Sequence, residues 1–236
     1  MRATLAIAER EFKSYFLSPV GYVVIAGFLL LASYLFYVPL AVMGEPSLRR
    51  WVYNIIIILI ILVPALTMRL IAEERRTGTI EVLSTSPVTD MQVVLGKFLG
   101  CLGFYAVMLA ATLAYPIILT RVGKPEMGPM ITVYLGLLLF GATFVAIGLL
   151  TSALSKSQVV AFVGGFVVLL FLFLIEWMAQ SGSGWMSTAI RYIGIQQHLD
   201  NFAKGVIATK DVIYYVSVVA LCLLLSVRAM QAWKWR

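Results

Sequence analysis

Trp51-Val52-Tyr53-Asn54-Ile55-Ile56-Ile57-Ile58-Leu59-Ile60-Ile61-Leu62-Val63-Pro64-Ala65-Leu66-Thr67-Met68 runs for 18 residues without a charge. It is followed at once by Arg69-Leu70-Ile71-Ala72-Glu73-Glu74-Arg75-Arg76-Thr77-Gly78-Thr79-Ile80-Glu81-Val82-Leu83-Ser84-Thr85-Ser86-Pro87-Val88. A helix crosses the hydrocarbon core of a bilayer with about 20 apolar residues. The first stretch therefore reads as a membrane span, and the second as a charged segment outside the lipid. Five more stretches match the first: Val20–Met43, Lys97–Leu119, Met130–Leu154, Val159–Trp177 and Val212–Ala229. The fold class this predicts is an all-α integral membrane protein of six spans, a single domain over residues 1–236.

Composition agrees. The 236 residues are 61% hydrophobic and 12% charged, with a mean hydropathy of +0.97. Soluble domains carry roughly 25% charged residues, so the surplus apolar surface must face lipid. A soluble enzyme, a disordered chain and a disulfide-built module are excluded. Cys101 and Cys222 both lie in apolar runs and read as small buried hydrophobes. The net charge of +7 needs no nucleic acid, because Lys and Arg accumulate on the cytoplasmic side of membrane proteins. Of the 18 basic residues, 11 fall in the segments that share a side with the two termini (Arg2 and Arg75 among them) and 7 on the other. That asymmetry predicts cytoplasmic termini. Trp51, Tyr53, Trp177, Trp185, Trp233 and Trp235 stand where interface anchors belong. Pro64 and Pro116 should kink or unwind their spans. Gly96, Gly100 and Gly103 on span three, and Gly141 and Gly148 on span four, offer close-packing faces. Ser155-Lys156-Ser157-Gln158 leaves spans four and five as a tight hairpin.

Three polar segments hold most of the specific information. In residues 1–18, Leu5, Ala8, Phe12 and Tyr15 recur at helical spacing while Glu9 and Lys13 form an i,i+4 pair. Ser18-Pro19 ends this amphipathic helix, which is expected to lie along the cytoplasmic leaflet. In the second segment, Arg69 and Glu73 are four apart, so the helix of span two is expected to run on past the membrane. Gly78 then stops it, Thr79 caps a short helix over 80–84, and Ser86-Pro87 ends that helix. Thr89 and Gln92 have capping-box spacing for span three. The outcome is a jointed transverse piece suited to docking in a groove on another protein. The third segment, 176–211, holds a Ser181-Gly182-Ser183-Gly184 joint and two short helices expected within 185–207, forming a lid in which His198 lies near Asp200.

Missing chemistry narrows the function. No G-x-x-x-x-G-K-[ST] occurs, so nothing in the sequence cradles a nucleotide. No charge sits deep in a span to relay protons or sodium. A hydrolase pairing of Ser183 with His198 lacks its motif, and Met127 with Met130 lacks the His or Cys of a soft-metal site. The chain reads as a non-enzyme without metal or cofactor. If it moves cargo, the energy comes from a separate subunit.

Glu73-Glu74-Arg75-Arg76-Thr77-Gly78-Thr79-Ile80-Glu81-Val82-Leu83, then Ser86-Pro87-Val88 and Gly96-Lys97, resembles the cytoplasmic signature of ABC-2-type exporter permeases. Arg10-Glu11-Phe12-Lys13-Ser14-Tyr15-Phe16 with Ser18-Pro19-Val20-Gly21-Tyr22 resembles the opening of the gliding-motility branch. So do His198-Leu199-Asp200-Asn201-Phe202, Lys204-Gly205-Val206-Ile207 and Asp211-Val212-Ile213-Tyr214-Tyr215 for its last loop and span. The permease of nitrous-oxide-reductase copper maturation is similar there too. The resemblance implies a bacterial inner-membrane permease acting as a homodimer with two copies of a cytoplasmic ABC ATPase, which would hold ATP and Mg2+. It also implies a connecting helix over 2–18 (Glu9, Arg10, Phe12, Lys13), a coupling helix over 73–87 (Glu73, Glu74, Arg76, Ile80, Glu81, Leu83, Pro87) and outer re-entrant helices over 185–207. An auxiliary membrane protein with a periplasmic domain belongs to the gliding branch. Ser33, Tyr34, Asn54 and Thr67 are candidates to line a path of amphipathic or apolar cargo. Two rivals stay open: a non-transporting anchor that recruits an ATPase in a cell-envelope or motility complex, and a passive channel.

Overall fold

The computed structural model describes residues 2–43, 48–78, 88–122, 127–181, 184 and 194–234. Among these residues ten helices occur and no strand. They are α1 (Arg2–Leu17), α2 (Pro19–Met43), α3 (Leu48–Thr67), α4 (Ala72–Arg76), α5 (Asp90–Ala111), α6 (Ala114–Val122), α7 (Met127–Leu154), α8 (Gln158–Ser181), α9 (Ile195–Ala203) and α10 (Thr209–Lys234). Six helical runs among the described residues are long and apolar enough to cross a membrane, carried by α2, α3–α4, α5–α6, α7, α8 and α10.

Helix limits follow from local chemistry. α5 starts at Asp90, seven residues ahead of the apolar stretch, because Thr89 and Gln92 form the expected capping box. The Gln92 amide donates to Thr89 Oγ1 at 3.3 Å, and the Thr89 amide donates to Gln92 Oε1 at 3.1 Å. Span three breaks at Thr112, where Pro116 cannot supply the N–H that the Thr112 carbonyl needs. The Tyr134 hydroxyl (2.8 Å) and the Tyr115 amide (2.9 Å) donate to that carbonyl instead. α3, by contrast, continues through Pro64 to Thr67. Only three residues separate α7 from α8, so these two form the expected hairpin.

α7 is the central helix, with α3, α5, α8, α9 and α10 packed around it. Its glycines make that possible. A Cβ on Gly141 would lie 2.2 Å from the Tyr105 ring, and one on Gly148 would lie 2.1 Å from Thr67 Oγ1. α2 and α8 instead turn broad apolar faces outward, with Val23, Leu30, Val160, Val167 and Phe171 exposed. In water such faces would drive aggregation; here they match lipid tails or another helix bundle.

Two expectations need correction. The helix of span two does not run on through Arg69. It ends at Thr67, turns over residues 68–71, and restarts as α4. Arg69 and Glu73 make no pair: the Arg69 guanidinium lies 4.3 Å from the centroid of the Tyr15 ring, and Glu73 turns to Arg76 and Gln158. Trp51 is not an interface anchor either. It is 1% exposed, donates from Nε1 to the Ala32 carbonyl at 3.1 Å, and meets Tyr115 edge-on. Trp177 is 62% exposed at the end of α8. Trp185 and Trp235 lie outside the described residues.

Candidate functional site

α1 does not lie loose beside the bundle. Its residues Ile7, Ala8 and Glu11 press on Gly96 and Gly100 of α5, where a Cβ would come within 2.6–2.8 Å of α1 atoms. Phe12 covers Gly103 and tilts against Phe16. Tyr15 stacks on Phe104 at 4.5 Å, and its hydroxyl donates to the Leu66 carbonyl at 3.0 Å. The small-residue face of span three is thus the seat of the N-terminal helix. Glu9 and Lys13 form their pair on the exposed side, which holds the Glu9 carboxyl below its ordinary pKa.

α4 is fixed by side chains from five other helices. Ser152 of α7 satisfies the break before it: Oγ accepts the Ile71 and Ala72 amides, both at 3.1 Å, and donates to the Met68 carbonyl at 3.0 Å. Glu73 accepts from Gln158 at the start of α8 and from Arg76 at 2.9 Å. The Arg75 guanidinium lies 3.1 Å from the Trp233 ring centroid, near the end of α10. Glu74 accepts from Lys97 of α5 at 2.7 Å, and the same ammonium donates to Glu11 of α1 at 2.9 Å. The Lys97 side chain is 2% exposed. Arg10 flanks the cluster, 3.6 Å from Glu74 and 3.9 Å from Glu11. Two cations and two carboxylates therefore meet where α1, α4 and α5 converge. Gly78, at φ +71°, ends α4 in a backbone shape that suits glycine.

At the opposite end α9 is tied to four spans, α7 among them, whose Thr132 hydroxyl donates to the Phe202 carbonyl at 2.6 Å. The buried Glu176 carboxylate of α8 caps its N-terminus, accepting the Gln196 and Gln197 amides at 2.9 and 2.6 Å. A Cβ on Gly194 would collide with this carboxylate at 2.5 Å. Asp200 accepts from Arg49 of α3 at 2.9 Å and also from Tyr53 and Lys204. Burial works to raise the Asp200 pKa, but the hydrogen bonds from Lys204, Tyr53 and Arg49 outweigh it and hold the pKa below the ordinary aspartate value. His198 pairs with Asp211 of α10 (Nδ1 to Oδ1, 2.6 Å) and not with Asp200, and Asn201 donates to the other Asp211 oxygen at 2.7 Å.

The sequence-assigned residues distribute as follows. Glu73, Glu74 and Arg76 gather on α4, and Glu9, Arg10, Phe12 and Lys13 on α1. Ile80, Glu81, Leu83 and Pro87, with the short helix expected over 80–84, lie outside the described residues, as do residues 185–193 of the lid and Ser183. Ser33 shares a 2.8 Å hydrogen bond with Tyr115, and Thr67 donates to the Val63 carbonyl of its own helix at 3.0 Å. Tyr34 is 63% exposed on α2, and Asn54 is half-buried. Lys97 and Glu11 stand in the signature stretches and Gln158 in the hairpin, but neither they nor Ser152 carry a site role in the sequence reading. For Lys97 a signal existed: a lysine one turn inside an apolar run needs a carboxylate partner.

The model of the family described as ABC-2 family transporter protein matches residues 43–227, most of the chain. The probable multidrug ABC transporter permease YbhR of Escherichia coli strain K12 is 32% identical over 100 residues, covering 42% of this chain and 27% of that relative. Its counterpart in Escherichia coli O157:H7 matches to the same extent. The match thus spans about a quarter of the length of these curated relatives.

Proposed function

The chain belongs to the ABC-2 transporter family, and on that premise we propose that it is a six-span permease domain of an ATP-driven exporter. α1 and α4 form its docking platform for a separate cytoplasmic ATPase. Two copies of the chain pair in the bacterial inner membrane with two ATPase copies, both termini facing the cytosol. The ATPase carries ATP and Mg2+. Within the family the gliding-motility branch, related to the copper-maturation permease, is the proposed placement, on the strength of the opening and closing motifs. A periplasmic auxiliary protein would join it there.

The observation that carries this reading is the clamping of α4. A connecting loop would need no more than a handful of residues, yet α4 is braced by α5, α7, α8 and α10 through Lys97, Ser152, Gln158 and Trp233. An element so held passes a push to four helices at once. Glu73 and Arg76, on its more open side, and the sequence-assigned Ile80, Glu81, Leu83 and Pro87 meet the ATPase; Glu74 faces inward. Glu9, Arg10, Phe12 and Lys13 belong to the second contact, α1. Tyr34, with Ser33, Asn54 and Thr67, marks the cargo side. Cargo is amphipathic or apolar, in keeping with the similarity to the probable multidrug permease of Escherichia coli.

Co-purification tests the proposal. Detergent-extracted protein should bring down an ATPase whose hydrolysis rate it changes. Recruitment with no change in rate would favour the anchor, and hydrolysis by the isolated chain would overturn the division of labour.

A further inference from the structure

Lys97 is an ion in a place that does not favour one. Its side chain is 2% exposed, and its two partners, Glu11 and Glu74, are each 14% exposed. Removing a lysine ammonium from water is expensive by several kcal/mol, and opposite charges at hydrogen-bond distance offset that only when the geometry is good. Here they are good: 2.9 Å to Glu11 and 2.7 Å to Glu74. Arg10 brings the cluster to two positive and two negative groups.

The placement of the partners is more telling than their number. Glu11 lies on α1 and Glu74 on α4, more than sixty residues apart in sequence. Each helix also has its own seat, α1 on the glycines of α5 and α4 under Ser152 of α7. Lys97 ties both to α5 at 2.9 and 2.7 Å, whereas Arg10 of α1 reaches Glu74 from the more open side at 3.6 Å. A well-packed apolar residue could fill such a site at equal or better stability if the carboxylates were replaced as well. What a compact ammonium with three donors adds is register: it fixes one carboxylate of each helix to the same point on span three.

We propose that Lys97 is a positioning residue that locks α1 and α4 to α5, so that the two platform helices and span three move as one body. The inference rests on the proposed function only for its consequence, that the lock carries ATPase movement into the membrane. Severing the Glu74 arm leaves Lys97 paired with Glu11, so Glu74→Gln is the variant of choice, with Arg10→Gln, which removes the 3.6 Å pair of Arg10 with Glu74, as the control that should leave the lock intact. Lys97→Met, which strands two carboxylates, would confuse loss of fold with loss of coupling.

Two readouts separate the lock from the function. Spin labels at Lys13→Cys and Thr77→Cys, both exposed positions, should give a narrow distance distribution between α1 and α4 in the full chain, and a broad one after Glu74→Gln. In the complex with the co-purifying ATPase, Glu74→Gln should leave the KM for ATP within about twofold and cut the permease-dependent change in kcat by about fivefold or more, the lower end of coupling effects between sites. A merely structural role would reduce the amount of complex and leave kcat per complex unchanged. Identical distance distributions in the two proteins would overturn the lock, as would an undiminished kcat effect. If the unsubstituted chain itself has no effect on an ATPase, the functional proposal fails while the distance test still decides the lock. Should Glu74→Gln fail to accumulate, Glu11→Gln cuts the other arm and is read in the same two ways.

Discussion

Replacing Ser152 by Ala should loosen the break between α3 and α4 more than any nearby hydroxyl loss. Its Oγ accepts two amides, those of Ile71 and Ala72, and donates to the Met68 carbonyl. Ser152, Ile71 and Ala72 are fully buried. An alanine leaves two N–H groups without an acceptor, and each buried unsatisfied polar group costs about 1–3 kcal/mol. Because both amides share one oxygen, and a hydroxyl's own desolvation is recovered, a net destabilisation of about 2–4 kcal/mol is expected. Ser155→Ala is the matched control. Its Oγ donates only to the Thr151 carbonyl within its own helix, so its loss should cost under about 1 kcal/mol. Reversible unfolding in mixed micelles gives the stability difference, and hydrogen exchange should show the amides of residues 71 and 72 opening first. Equal stability of Ser152→Ala and Ser155→Ala, with unchanged exchange at 71 and 72, would refute the argument that Ser152 holds the joint.

Gly148→Ala should destabilise by about 1–3 kcal/mol, since its Cβ would lie 2.1 Å from Thr67 Oγ1; the same unfolding assay reads it. The lid ties through Asp200 should be insensitive to pH from neutrality down to the ordinary aspartate value of 3.8 and fail below it. A depressed folded pKa stabilises above the unfolded one and is lost as pH falls through the folded value. Cross-linking of α9 to α3 against pH checks this, with Asp200→Asn as the variant that shows no such step. In single-tryptophan variants, brominated lipid should quench Trp177 strongly and Trp51 hardly at all, following their exposures of 62% and 1%.

Much of this architecture could be read from short-range pattern. The spans, the Thr89–Gln92 capping box, the break ahead of Pro116 and the 155–157 hairpin all depend on residues within a few positions of one another. The seat for α1 was half legible: Gly96, Gly100 and Gly103 announced close packing, though not which helix would take it. What could not be read depends on distant pairings. Ser152 satisfies the break between α3 and α4 from 80 to 84 residues away in sequence, so an i,i+4 match between Arg69 and Glu73 looked like a continuing helix. His198 and Asp200 sit two apart, but residues so spaced face different sides of a helix, and the imidazole instead reaches Asp211. An interfacial and a packed tryptophan have the same neighbours in sequence, which is why Trp51 deceived.

The central claim is that α4 carries the work of an ATPase into the spans, and movement of α4 tests it most directly. Labels at Thr77→Cys and at an exposed site on α9, in the assembled complex in lipid, should report a change in separation when a non-hydrolysable ATP analogue binds the partner. That change should vanish in an ATPase unable to bind nucleotide. A separation that stays fixed through nucleotide binding and release would contradict the account.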